Sequence, residues 1–161
     1  MSKLSSARIA RRIGILAVMS CIGWTVGAAP SLAMNTDMRA AVFVESDAIG
    51  VGAGVLTTVG SNPRWMFNPN VEFGFGDQED LVAMNGDFHY DFTSRPGMSA
   101  WMGAGPAVVV TKPSVGDSRA DLGLNLLTGL SGTNGTVRPF AQLKGLVSDE
   151  SQLVLQGGIR F

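Results

Sequence analysis

Among 161 residues there is one cysteine, one histidine and one tyrosine. The cysteine, Cys21, lies in an apolar run near the amino terminus, so the rest of the chain offers no disulfide framework, no thiolate metal site and no cysteine nucleophile. His89 has no second histidine with which to build a metal site and no serine two residues away to activate. Charge is also scarce, at 16% of residues, against 21 glycines. After residue 33 no stretch shows helical periodicity, and no linker or low-complexity block divides the chain, which points to one domain without a helical core.

The amino-terminal segment has its own chemistry. Lys3, Arg8, Arg11 and Arg12 precede the apolar stretch IGILAVMSCIGWTVGAA, followed by PSLA. A basic flank, an apolar run and a small-x-small ending describe a cleaved signal peptide over residues 1–33, with cleavage after Ala33. The alternative is an uncleaved anchor, for which the run is shorter than the roughly 20 residues of a spanning helix. Removing the leader takes four bases and no acid. The remainder, residues 34–161, keeps 8 Lys and Arg (12 minus 4) against 13 Asp and Glu, a net of −5. Nucleic acid is not an expected partner, because phosphate binding needs concentrated Lys and Arg.

What the chain does contain is eight short alternating runs separated by turn clusters. The runs are 40–47, 51–59, 65–76, 81–92, 99–112, 120–131, 137–147 and 152–161. Between them lie DAIG, GSNPR, GDQED, TSRPG, PSVGDSR, GTNGT and SDES, rich in the residues that turns demand. Hairpin-sized connections predict antiparallel neighbours and an all-β, eight-stranded up-and-down meander. Closing it into a barrel removes both unpaired edges.

The parity of the longer runs is sharp. Phe67, Val71, Phe73 and Phe75 oppose Asn68, Asn70 and Glu72; Met84, Phe88, Tyr90 and Phe92 oppose Asn85, Asp87, His89 and Asp91. Leu122, Leu124 and Leu126 oppose Asp121 and Asn125, and Val137, Ala141 and Leu143 oppose Arg138, Gln142 and Lys144. A soluble barrel of the lipocalin type, binding an apolar ligand, would turn the apolar face inward; a membrane barrel would turn it outward. The polar face is poor in Lys and rich in Asn, Gly and Asp, which suits a narrow interior better than a water-facing exterior. Aromatic residues recur toward run ends (Trp65, Phe67, Phe75, Tyr90, Phe92, Trp101, Phe161), where interfacial girdles sit. These features predict a transmembrane β-barrel.

The chain resembles the small eight-stranded outer-membrane β-barrels of Gram-negative bacteria. The resemblance rests on LVLQGGIRF at the end of the chain and on ADLGLNLLTGLSG followed by RPFAQLKG, and covers residues 40–161. It implies a bacterial outer-membrane location and assembly by the barrel-assembly machinery, with Leu155, Ile159 and Phe161 as the terminal assembly signal. The expected surroundings are outer-membrane lipid and lipopolysaccharide, and the expected state is a monomer without cofactor.

Parity places Glu45, Glu72, Asp87, His89, Asp91, Asp121, Arg138, Lys144 and Arg160 in the interior as a network of acids from early strands and bases from late ones. In a tight interior such charges must pair, and the pairs plug the barrel. A sharper reading makes them a filter for small solutes. His89 is expected to hydrogen-bond with Asp87 or Asp91 and not to serve catalysis, so no enzyme activity is expected. The loops on one side are acidic (Asp47, Asp77, Glu79, Asp80, Asp117, Asp149, Glu150), which would suit divalent cations bridging to lipopolysaccharide phosphate.

Overall fold

The computed structural model describes residues 34–161, apart from the side chains of Thr93 and Ser94. The expected signal peptide, residues 1–33, lies outside the described residues. Eight strands follow one another: β1 (Asn35–Phe43), β2 (Ala48–Thr58), β3 (Trp65–Gly76), β4 (Glu79–Arg95), β5 (Met98–Pro113), β6 (Arg119–Gly132), β7 (Arg138–Val147) and β8 (Gln152–Arg160). Each pairs antiparallel with its neighbours, and β8 closes onto β1. Closure runs from Phe43↔Val154 to Asp37↔Arg160. One step further, Thr36 and Phe161 exchange backbone hydrogen bonds of 2.9 and 3.0 Å. A terminal strand therefore has no free edge and does not fray.

Side chains sort cleanly by face. Ile49, Phe75, Phe88, Met102, Leu126 and Leu155 are exposed on the outside, while Asn68, Glu72, Asp87, Asn125, Lys144 and Arg160 are buried within. A water-soluble barrel requires the reverse arrangement. Trp65 and Tyr90 pack at 5.0 Å, and Phe67 and Phe88 at 4.8 Å, on the outer wall near the end that carries the chain termini.

Two corrections concern the first hairpin and one aromatic residue. The first strand starts at Asn35, not Ala40, and the turn is Val44–Asp47, not DAIG. Asp47 turns the chain at φ 48°, a left-handed conformation that its short polar side chain tolerates. Glu45 therefore lies in an exposed turn, where it accepts a hydrogen bond from the Leu153 amide, and not in the interior. Trp101 is no girdle residue: it is 1% exposed and points inward. The space it fills is left by Gly129 on β6, where a Cβ would stand 2.3 Å from the indole.

Pro69 sits mid-strand in β3 and has no N–H to give to the ladder. Pairing between β2 and β3 is interrupted there, resuming at Gly54↔Asn70 on one side and Thr57↔Phe67 on the other. The Asn68 side chain donates to the Val55 carbonyl at 3.0 Å in compensation.

Candidate functional site

The interior is layered. At the end of the β1–β2 turn, Phe43, Ala48, Leu81 and Val154 form an apolar cluster, backed by Ala83, Ala107, Val109 and Leu146. At the end holding the chain termini, Trp101, Leu127 and Phe140 form another. Polar side chains fill the space between. An eight-stranded barrel is just wide enough to be filled by its own side chains, and these fill it.

Glu72 is the centre of the polar layer and is 0% exposed. It accepts from Lys144 Nζ at 2.5 Å, Gln156 Nε2 at 2.7 Å and Arg39 Nη1 at 3.4 Å. Gln142 Nε2 donates to Gln156 Oε1 at 2.7 Å and so holds that amide in place. Arg39 reaches Asp37 Oδ1 through Nε and Nη2, at 2.9 and 2.5 Å. Asn68 locks this pair, accepting from Arg39 at 2.9 Å and donating to Asp37 Oδ2 at 3.0 Å. Such doubly hydrogen-bonded, charge-assisted contacts are the strong ones.

Asp87 is held differently. Its oxygens accept from Asn125 at 2.8 Å and Asn70 at 2.9 Å, and Asn85 links those two amides at 2.9 and 2.8 Å. The asparagines that alternate along β3, β4 and β6 thus form one cage around a carboxylate. Three acids (Asp37, Glu72, Asp87) and three bases (Arg39, Lys144, Arg160) are buried, so the interior is neutral as a whole. That balance is what a low-dielectric interior demands.

The remaining expected members lie apart from this network. Asp121 is at the rim, where Arg119 bridges it at 2.9 Å and also pairs with Glu150. Asp91 is half-buried and accepts from Ser99 at 3.4 Å. His89, 2% exposed, does not bond to Asp87 or Asp91; its ring stacks on Trp101 at 5.9 Å with an interplanar angle of 5°. Arg160 lies over the opposite partners, 4.3 Å from the Trp101 centroid and 4.8 Å from that of Phe140. Arg138 donates to Asn35. Sequence reasoning missed Asp37 and Arg39, which precede the strand start it assigned; with Arg39 buried on β1, the expected division of acids on early strands and bases on late ones does not hold. The alternation of Asp37, Arg39 and Ala41 against Met38, Ala40 and Val42 was the available signal.

A recess that runs from the rim beside Asp121 and Glu150 down to Glu72, Asn125 and Lys144 has a volume of about 20 Å³. That is room for about one water molecule.

The backbone geometry has counterparts among solved structures. Neisserial surface protein A (NspA) aligns at a TM-score of 0.60 and 14% identity, covering 79% of this chain and 92% of that one. The amino-terminal β-barrel domain of Pseudomonas aeruginosa OprF aligns at 0.61 and 15% identity, over 80% and 96%. The attachment invasion locus protein Ail of Yersinia pestis aligns at 0.55 and 15% identity, again over 80% and 96%. The fold is that of the small eight-stranded outer-membrane barrels. No protein-family model matches the sequence, and no curated protein does. Within the outer-membrane-barrel fold, alternation with the apolar face outward is the shared requirement; at these identities the likeness concerns fold alone.

Proposed function

We propose that this chain is an integral outer-membrane protein of a Gram-negative bacterium, serving envelope structure with a plugged interior and at most a trace of small-solute passage. The observation that carries the reading is the inverted polarity: an apolar wall around a neutral, hydrogen-bonded core closed by apolar clusters at both ends. Lipid is the solvent that such a wall suits. Residues 1–33 serve as the export signal, and Leu155, Ile159 and Phe161, all exposed on β8 or just after it, as the assembly signal read by the barrel-assembly machinery. The termini face the periplasm, and the acidic turns face lipopolysaccharide, whose phosphates they meet through divalent cations. No catalytic role is assigned to His89, buried and stacked as it is, and the protein acts as a monomer.

Two measurements test this. On fractionation the protein should stay in the outer-membrane pellet through a high-salt wash; release into the soluble periplasmic fraction would refute membrane insertion. Purified protein in planar bilayers should give no large steady conductance. Stable channels would refute the plug.

A further inference from the structure

At the end of the barrel that holds the chain termini, two arginines stand outside the central network. Arg138 on β7 and Arg160 on β8 are register partners, and both point inward. Cations at directly opposed positions repel. Among the described residues neither forms an ion pair, and the Nε of each is buried without a hydrogen-bond partner. Arg160 is 7% exposed. Its guanidinium carbon lies over the Trp101 and Phe140 rings, contacts that hold it in place without using a hydrogen-bond donor of Nε.

The acids nearest Arg160 form no ion pair with it. Asp37 is the register partner of Arg160 on the other side, but its Oδ1 is taken by Arg39 and its Oδ2 by Asn68. Asp91 accepts from Ser99. The turns at this end, residues 59–64, 96–97 and 133–137, contain Arg64 and no acid, and Arg95 stands just before the second. With Asp37 matched by Arg39, Arg64, Arg95, Arg138 and Arg160 outnumber Asp91 at this mouth, which is therefore positive, while the opposite rim is acidic.

We propose that Arg138 and Arg160 form a binding site for a phosphate-type oxyanion at the mouth beside the chain termini. A tetrahedral oxyanion presents oxygens in several directions. Arg160 can offer its guanidinium fork to a pair of them, Arg138, whose Nη2 donates to Asn35, adds its free Nε, and the bound charge removes the repulsion between the arginines. Inorganic phosphate and the phosphate of a phospholipid headgroup share this chemistry.

The test follows the arginine Nε–Hε signals by NMR of the ¹⁵N-labelled barrel in glycoside-detergent micelles free of phosphate. Inorganic phosphate is titrated at constant ionic strength, with chloride as control. The Arg138 and Arg160 signals should shift saturably with phosphate and not with chloride, and Arg64 and Arg95 should stay put. In Arg138→Gln the affinity should fall by about tenfold or more, as loss of a cation and its charge-assisted hydrogen bond requires. In phosphatidylglycerol nanodiscs without free phosphate, shifts already present identify the headgroup as the source; shifts appearing only on adding phosphate identify the free anion. Equal response to chloride and phosphate, or no response in either micelles or nanodiscs, overturns the proposal. So does unchanged affinity in Arg138→Gln. If that variant fails to fold, Arg138→Lys replaces it: the charge without the Nε donor should bind more weakly, and unchanged affinity again overturns the proposal.

Discussion

Replacing Glu72 by leucine removes the one acid that Lys144 touches. The Lys144 ammonium is 2% exposed and makes no other ion pair among the described residues. Arg39 also loses a contact but keeps Asp37 and Asn68. A buried pair broken on one side costs about 3–5 kcal/mol, because a desolvated charge is left uncompensated. Glu72→Leu should therefore destabilise by about that amount. Lys144→Met should cost less, since Glu72 retains Arg39 at 3.4 Å and Gln156 at 2.7 Å. The double variant removes both charges and leaves Gln156 short of one acceptor, a loss of about 1–3 kcal/mol. Its destabilisation should thus fall below the sum of the single variants by at least about 2 kcal/mol. Urea unfolding of the barrel in micelles, followed through tryptophan emission, measures all three. A Glu72→Leu barrel within about 1 kcal/mol of the parent, or additive single effects, would show that water reaches this pair and that the core is not dry.

Further outcomes follow from the same packing. Gly129→Val would drive a side chain into the Trp101 indole and should cost about 1–3 kcal/mol or prevent folding, read by the same urea titration. Arg138→Ala gives up one hydrogen bond to Asn35 and no ion pair, so it should change stability by about 1 kcal/mol or less; a loss of several kcal/mol would reveal a carboxylate partner. Deleting Phe161 removes the backbone pair with Thr36 that completes closure and should lower the amount of assembled barrel in cell envelopes, measured by immunoblot against the full-length chain.

Much of the fold was legible because lipid and core impose opposite demands on alternate residues. β3 was delimited at Trp65–Gly76 from the sequence, since Phe67, Val71, Phe73 and Phe75 on one face and Asn68, Asn70 and Glu72 on the other leave no ambiguity of period. β5 was less clear because both faces are apolar or small: Met102 and Ala104 point out, whereas Trp101 and Ala107 point in. In such a strand parity carries no polarity label, and a tryptophan near a strand end has the sequence signature of a girdle residue. The start of β1 is obscured because its polar members abut the leader, so clear alternation begins five residues after the true start, Asn35.

The interior was legible as a list of inward-facing side chains and not as a set of partners. Lys144 meets Glu72 across 72 residues of sequence, and Arg39 meets it across 33. Alternation says which face a residue occupies; it does not say which of several acids lies at the same height on the opposite wall. That depends on strand tilt and register, which local pattern leaves open. The apolar ends of the core escaped for a related reason. Phe43, Leu81, Phe140 and Val154 stand on the face otherwise marked polar.

The central claim is that the apolar face meets lipid and the charged face does not. Cysteines placed one at a time by Phe73→Cys, Phe88→Cys and Leu124→Cys, each at an exposed apolar position on the outer wall, test it in lipid bilayers, with Cys21 substituted or removed with the leader. The bilayer should shield all three thiols from a charged maleimide while a lipid-soluble thiol reagent modifies them readily. Rapid modification of all three by the charged reagent would contradict the account.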